Sequence, residues 1–224
     1  MRNNLLVIFF LALVAFSCSK ENEVTVTDLG MAYAGLELGN YVVYDVDSIF
    51  YDDFNDTVIT TIFQLKELVA EAYTDLEGEE AFKINRYRRD TDTSAWVQTD
   101  VWNAKLTNTN YQKVEENVRY IKLIFPVRDN AKWNGNSMNS EGEQQYEYTS
   151  VDHAEVVGST PLEKVLTVLQ EDDQANLINP KIFEEKFAYG IGMVYKRSSD
   201  KERDNLSSPW RGYDVTMTLN SYGN

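Results

Sequence analysis

The chain has 224 residues, 12% of them aromatic, and carries 36 acidic against 21 basic side chains, a net charge of −15. Such an acidic excess repels nucleic acid and leaves no basic patch to hold a phosphate backbone, so nucleic acid is excluded as a partner. A single cysteine rules out an internal disulfide and a cysteine-based metal site, and a single histidine leaves a zinc centre without its other usual ligand; the sequence calls for no cofactor.

Arg2 opens the chain with a positive charge, and Leu5 to Phe16 is unbroken apolar sequence. That run is shorter than the roughly 20 residues a spanning helix needs, so residues 1–17 read as a signal peptide. Ala15 and Ser17 are small enough for ordinary cleavage after Ser17. The stretch Ala15-Phe16-Ser17-Cys18 also resembles the lipobox of bacterial lipoproteins, with two departures: Ala15 stands where a large aliphatic residue is usual, and Phe16 is bulky. The resemblance implies that Cys18 is diacylated and becomes the new N-terminus. Two or three acyl chains, each CH₂ contributing about 0.8 kcal/mol, would hold the protein on a membrane. The following "SKENE" is similar to the acidic export signals of Bacteroidota lipoproteins, and equally fits a solvated tether. The expected location is the cell outer membrane, lipid-anchored, with either leaflet open.

Residues 18–35 are then the acylated cysteine and its tether, and 36–224 a single domain. Without residues 1–17, which hold Arg2 and no acid, 20 basic residues face 36 acidic ones, a net charge of −16. The domain begins at "LELGNYVVYDVDSIFYDD", where Val42, Tyr44, Val46 and Phe50 alternate with Asp45 and Asp47, a half-buried strand. "QLKELVAEAY" has helix formers at helical spacing, but the β-branched run Val58–Ile62 feeds into it without a cap, so "TVITTIFQLKELVAEAYTD" (57–75) reads as one long strand. "LEGEE" is a turn on Gly78, and "AFKINRYRR" the returning strand. "SAWVQTDVWNAKL" alternates with Trp96 and Trp102 on one side, and "NVRYIKLIFPV" is a strand ended by Pro126. "DNAKWNGNSMNSEGEQ" is a loop, "QQYEYTSV" and "PLEKVLTVLQ" are strands, and "DDQANLINPKIFEE" (172–185) is the one short helix. "KFAYGIGMVYKR" places Phe187, Tyr189, Ile191, Met193 and Tyr195 on one strand face. Residues 212–222 put Val215, Met217 and Leu219 inside and Thr216 and Thr218 outside, and this strand is expected to pair antiparallel with 186–197. Strands joined by short turns, without alternating helices, predict a mainly β fold: a curved antiparallel meander or open half-barrel of about eight to ten strands.

"WNGN", "GEQQYEYTSV" and "EKFAYGIGMVYK" resemble a family of uncharacterised Bacteroidota cell-envelope lipoproteins of similar length. The resemblance implies origin and anchoring and supplies no catalytic residues. At the level of fold alone, the pattern is also similar to Lol-type half-barrels.

The chemistry-bearing residues are sparse. His153 lies between Asp152 and Ala154 with Glu155 beyond; either acid could orient it as a base, but no Gly-x-Ser-x-Gly nucleophile accompanies it, and an exposed loop histidine is the simpler account. Asp52, Asp53, Asn55 and Asp56 are a weak calcium candidate without the glycine and terminal glutamate of an EF-hand, and fit a hairpin turn as well. Carboxylate pairs of a glycosidase are uninformative where acids are everywhere. Fourteen tyrosines and four tryptophans serve a β core first, and a sugar platform or apolar groove second. The expected function is a non-catalytic accessory or interaction lipoprotein, with an envelope protein as partner. The rival is a carrier holding an acyl chain in the concave face. A dry apolar hollow would favour the carrier, and a filled interior the interaction role.

Overall fold

The computed structural model describes residues 28–224, so Cys18 and the signal segment lie outside the described residues. A short 3-10 turn, Met31–Ala34, is followed by β1 (Tyr41–Asp52), β2 (Thr57–Thr74), β3 (Glu80–Arg89), β4 (Val97–Leu106), β5 (Asn110–Glu115) and β6 (Val118–Ile124). Then come β7 (Lys132–Asn134), β8 (Gln145–Val157), β9 (Thr160–Asp172), β10 (Lys181–Ala188), β11 (Gly192–Glu202) and β12 (Arg211–Gly223). All twelve form one sheet, β6-β5-β4-β3-β2-β1-β12-β11-β10-β9-β8-β7, and every pairing is antiparallel.

The sheet curls until its two edges meet, giving a nearly closed half-barrel. Across the seam the Ile121 amide donates to the Gly135 carbonyl (2.9 Å), Trp133 Nε1 donates to the Ile121 carbonyl (2.8 Å), and the Tyr148 hydroxyl both donates to the Ile124 carbonyl and accepts from its amide, each at 2.8 Å. Edge groups satisfied in this way no longer offer a template for aggregation.

The up-and-down order gives the barrel two unlike ends. One end gathers residues 28–40 and the turns at 75–79, 107–109, 125–131, 158–159 and 189–191. It is packed by Tyr33, Ala34, Leu123, Phe125, Leu166 and Phe187, and Tyr33 donates to Asp152 Oδ1 at 2.5 Å. The other end gathers the β1–β2 hairpin, the loop 90–96, the turn 116–117 and the loops 135–144, 173–180 and 203–210. At 3.3 Å per residue the twelve residues of β1 separate the two ends by roughly 40 Å.

Several expectations need correction. Residues 28–35, expected as the end of the tether, pack against the barrel: the Gly190 amide donates to the Ala32 carbonyl (3.0 Å) and the Val127 amide to the Leu29 carbonyl (3.0 Å). The helix expected at 172–185 is absent; a turn-rich loop leads into β10. There the Asp173 amide donates to Lys181, and Asn176 Oδ1 accepts from Ile178 and Asn179, local bonds that compete with a helix, while Pro180 lacks the donor a helix interior needs. Residues 186–197 are not one strand: Gly190 (φ 77°) and Gly192 (φ 103°) frame a hairpin turn. A bulge before Phe187 places Met193 opposite it and leaves Val194 as the extra residue, and Val194 rather than Tyr195 is the fully buried one. A bulge at Arg86/Tyr87 separates Trp96, which lies under Arg89 on the outer face, from Trp102 inside.

Candidate functional site

The interior midway along the barrel is filled by charge. The period of two that points Leu65 and Val69 inward also points Glu67 inward from β2; opposite it on β3 stands Arg86, as the register dictates. Lys113 and Glu115 come from β5, Lys122 from β6, Glu185 from β10 and Lys196 from β11. Glu67 bridges Arg86 (3.2 Å) and Lys113 (2.8 Å), and Arg86 also meets Asp100 (3.3 Å). Lys113 lies 3.7 Å from Glu115, which is 3.7 Å from both Lys122 and Lys196. Glu185, 1% exposed, holds Lys122 at 2.6 Å and Lys196 at 3.2 Å. Four cations thus face four anions in one continuous network, and Arg86 stacks 3.6 Å above the Trp102 ring.

Glu115, Glu185, Lys122 and Lys196 are held in their charged forms. Burial alone would raise the Glu115 and Glu185 carboxyls, but Lys122 and Lys196 outweigh it and hold both below the usual carboxylate range. Burial alone would lower Lys122 and Lys196, and Glu115 and Glu185 raise them instead. Isolated charges in such a place would cost several kcal/mol each, so the network stands or falls as a unit.

Beyond the network, toward the open end, lies a chamber of about 190 Å³ that opens to solvent. It is lined by Glu115, Tyr120, Lys122, Gln144, Tyr146, Gln170, Phe183, Lys196 and Ser198. Gln170 Nε2 is buried there with no hydrogen-bond partner among the described residues. The chamber offers amides, hydroxyls, both signs of charge and three aromatic rings. Nothing in the sequence flagged these residues as a set, because they come from six strands and the segment before β8; only the topology collects them.

The predicted candidates fare differently. Asp52 uses both carboxylate oxygens on Asn55, accepting from its backbone amide (3.1 Å) and its side chain (2.7 Å), and Asp53 faces Arg211 at 3.9 Å. Asp56 sits at φ 49°, as a turn residue does, and no group of three or more His, Cys, Asp or Glu side chains suited to a metal occurs among the described residues. Asp52, Asp53, Asn55 and Asp56 therefore build the β1–β2 hairpin. His153 is exposed, and it sits on β8 rather than in a loop; its neighbours are committed elsewhere, Asp152 to Tyr33 and Glu155 to Lys186. The hairpin itself carries exposed Phe50, Phe54, Val58, Ile59 and Ile62. No helix among the described residues is long and apolar enough to cross a membrane.

Fold and mouth together define a twelve-stranded antiparallel half-barrel, closed by packing at one end and open at the other. Similar solved structures include a candidate exported protein with a YmcC-like fold from Bacteroides fragilis (10% identity, TM-score 0.41, 83% of this chain and 97% of that one). A candidate lipoprotein from Parabacteroides distasonis is similar at 9% identity and TM-score 0.40, over 85% of this chain and 98% of that one. A domain of a candidate outer-membrane lipoprotein-sorting protein from Vibrio parahaemolyticus is more distant, at 10% identity and TM-score 0.21, over 87% and 88%. No family model and no curated protein matches the chain.

Proposed function

We propose that this chain is a lipid-anchored cell-envelope protein, held through Cys18, that acts by binding a protein partner rather than by catalysis. The observation that carries the reading is the ion network in the barrel. A general acid or base works best with a pKa near the operating pH, and here charged partners outweigh burial and drive Glu115 and Glu185 down and Lys122 and Lys196 up, away from neutrality. The same network weighs against the expected rival, because an acyl chain in the concave face would need methylene-lined walls where these charges stand. Exposed apolar side chains gathered on one hairpin are instead what a protein contact uses.

The test has two parts. Cys18→Ser should leave the membrane fraction or keep its signal segment, and should take up no labelled fatty acid. Native protein solubilised from envelopes should be cross-linked to a partner through the β1–β2 hairpin, and Phe54→Ser with Ile62→Ser should abolish that product while the domain stays folded. A native protein that takes up no fatty acid contradicts the anchor, and cross-linking unchanged by the double variant contradicts the contact.

A further inference from the structure

We infer that the chamber at the open end is a binding site for a single sugar ring, either free or at the end of a glycan. This goes beyond the anchored interaction role and does not depend on it.

The first reason is charge. The two ammonium groups on the chamber wall, Lys122 and Lys196, are already matched by Glu115 and Glu185 at 2.6 to 3.7 Å. A matched set has no net field to draw in a phosphate or a metal ion. It does present strong donors and strong acceptors side by side, which suits a neutral ligand whose hydroxyls are both donor and acceptor. The second reason is the wall. Tyr120, Tyr146 and Phe183 add ring surface beside these polar groups, and the weakly polar C–H face of a pyranose packs on such rings. The third is the unmade bond. Gln170 lines the chamber and its Nε2 is buried with no hydrogen-bond partner among the described residues, so a small rotation of the side chain would aim this donor at a ligand's acceptor. The fourth is size. At roughly 30 Å³ per water, 190 Å³ holds about six waters, the room one pyranose and its hydroxyls take. The chamber opens away from the packed end, so the terminal sugar of a longer glycan can enter while the rest stays in solvent.

The experiment is saturation-transfer NMR and calorimetry on the native protein purified from envelopes in detergent. The probes are the methyl pyranosides of glucose, galactose and mannose, a linear trisaccharide of each, and glycine and inorganic phosphate. At least one pyranoside should bind in the millimolar range. Gln170→Leu and, separately, Tyr120→Phe should each weaken it by about tenfold or more, and Gln174→Leu, outside the chamber, should not. Tighter binding of the trisaccharide identifies a glycan end as the ligand, and equal binding identifies the free sugar. The inference is overturned if no sugar binds, if glycine or phosphate binds in its place, or if neither chamber variant weakens the sugar. Should Gln170→Leu fail to fold, Tyr120→Phe decides alone. None of these outcomes touches the anchor or the hairpin contact, which are read by fractionation and cross-linking.

Discussion

At the scale of single residues, Glu185 is a buried acid on which two lysines depend. It is buried to 1% exposure and holds two lysines, so its removal leaves Lys122 and Lys196 with one anion, Glu115, at 3.7 Å from each. Breaking a buried pair by losing one partner typically costs about 3–5 kcal/mol, whereas replacing both partners by apolar residues can be neutral. Glu185→Leu should therefore lower stability by about 3–5 kcal/mol, and adding Lys122→Met should recover part of the loss; urea unfolding of the two variants measures the difference. The network also fixes how stability follows pH. Glu115 and Glu185 titrate lower folded than unfolded, so the unfolded chain takes up protons first and their contribution is lost as pH falls below about 4.3. Lys122 and Lys196 titrate higher folded than unfolded, so their contribution is complete below about 10.4 and is lost above it as the unfolded chain releases protons first. The urea midpoint should run flat between those limits and fall on both sides. A Glu185→Leu protein whose acid limb still matches the native one would show that these groups do not govern it.

At the scale of elements, β11 and β12 pair antiparallel as expected, with Tyr195 opposite Thr218 and Lys196 opposite Met217. Met217 and Leu219 are buried, and Ile191, Met193 and Val215 pack half-buried against the same cluster. Leu219→Ala should cost about 2–5 kcal/mol and Thr218→Ser much less, because alternate residues of a strand face opposite ways. A larger loss from Thr218→Ser would mean the faces are exchanged. Gly35 joins the N-terminal segment to the barrel at φ 62°, and a Cβ there would run into the Ile191 carbonyl. Gly35→Ala should destabilise by about 1–3 kcal/mol or more by loosening that docking, read as faster amide exchange at Gly190 and Val127, which donate to Ala32 and Leu29. The long strand 57–74 was legible because its β-branched start has no helix cap. The span 172–185 was misread because its helix formers were weighed alone, while the ladder that makes 181–188 a strand comes from the flanking strands β9 and β11. β5 and β7 went unread for the opposite reason: six and three residues show too little alternation to register. The mouth was illegible altogether, since Glu115, Lys122, Glu185 and Lys196 look like ordinary solvated charges until bulges and curvature turn them inward.

At the scale of the whole molecule, the two ends, roughly 40 Å apart, are built differently. The N-terminal segment docks against the packed end, with Tyr189 donating to Asp28 at 2.8 Å and Val127 to Leu29, so Asp28 sits beside the turns at 125–131 and 189–191. The ten residues from Cys18 to Thr27 reach at most about 35 Å when extended. An anchor at Cys18 would therefore keep the packed end near the membrane and leave the hairpin and the open chamber free to meet partners. The most direct test of the anchor is mass spectrometry of the N-terminal peptide of the native protein. A chain that begins at Cys18 and carries a diacylglyceryl group on its sulfur is the predicted result. A native protein that begins at Met1, or at Cys18 with an unmodified thiol, would contradict it.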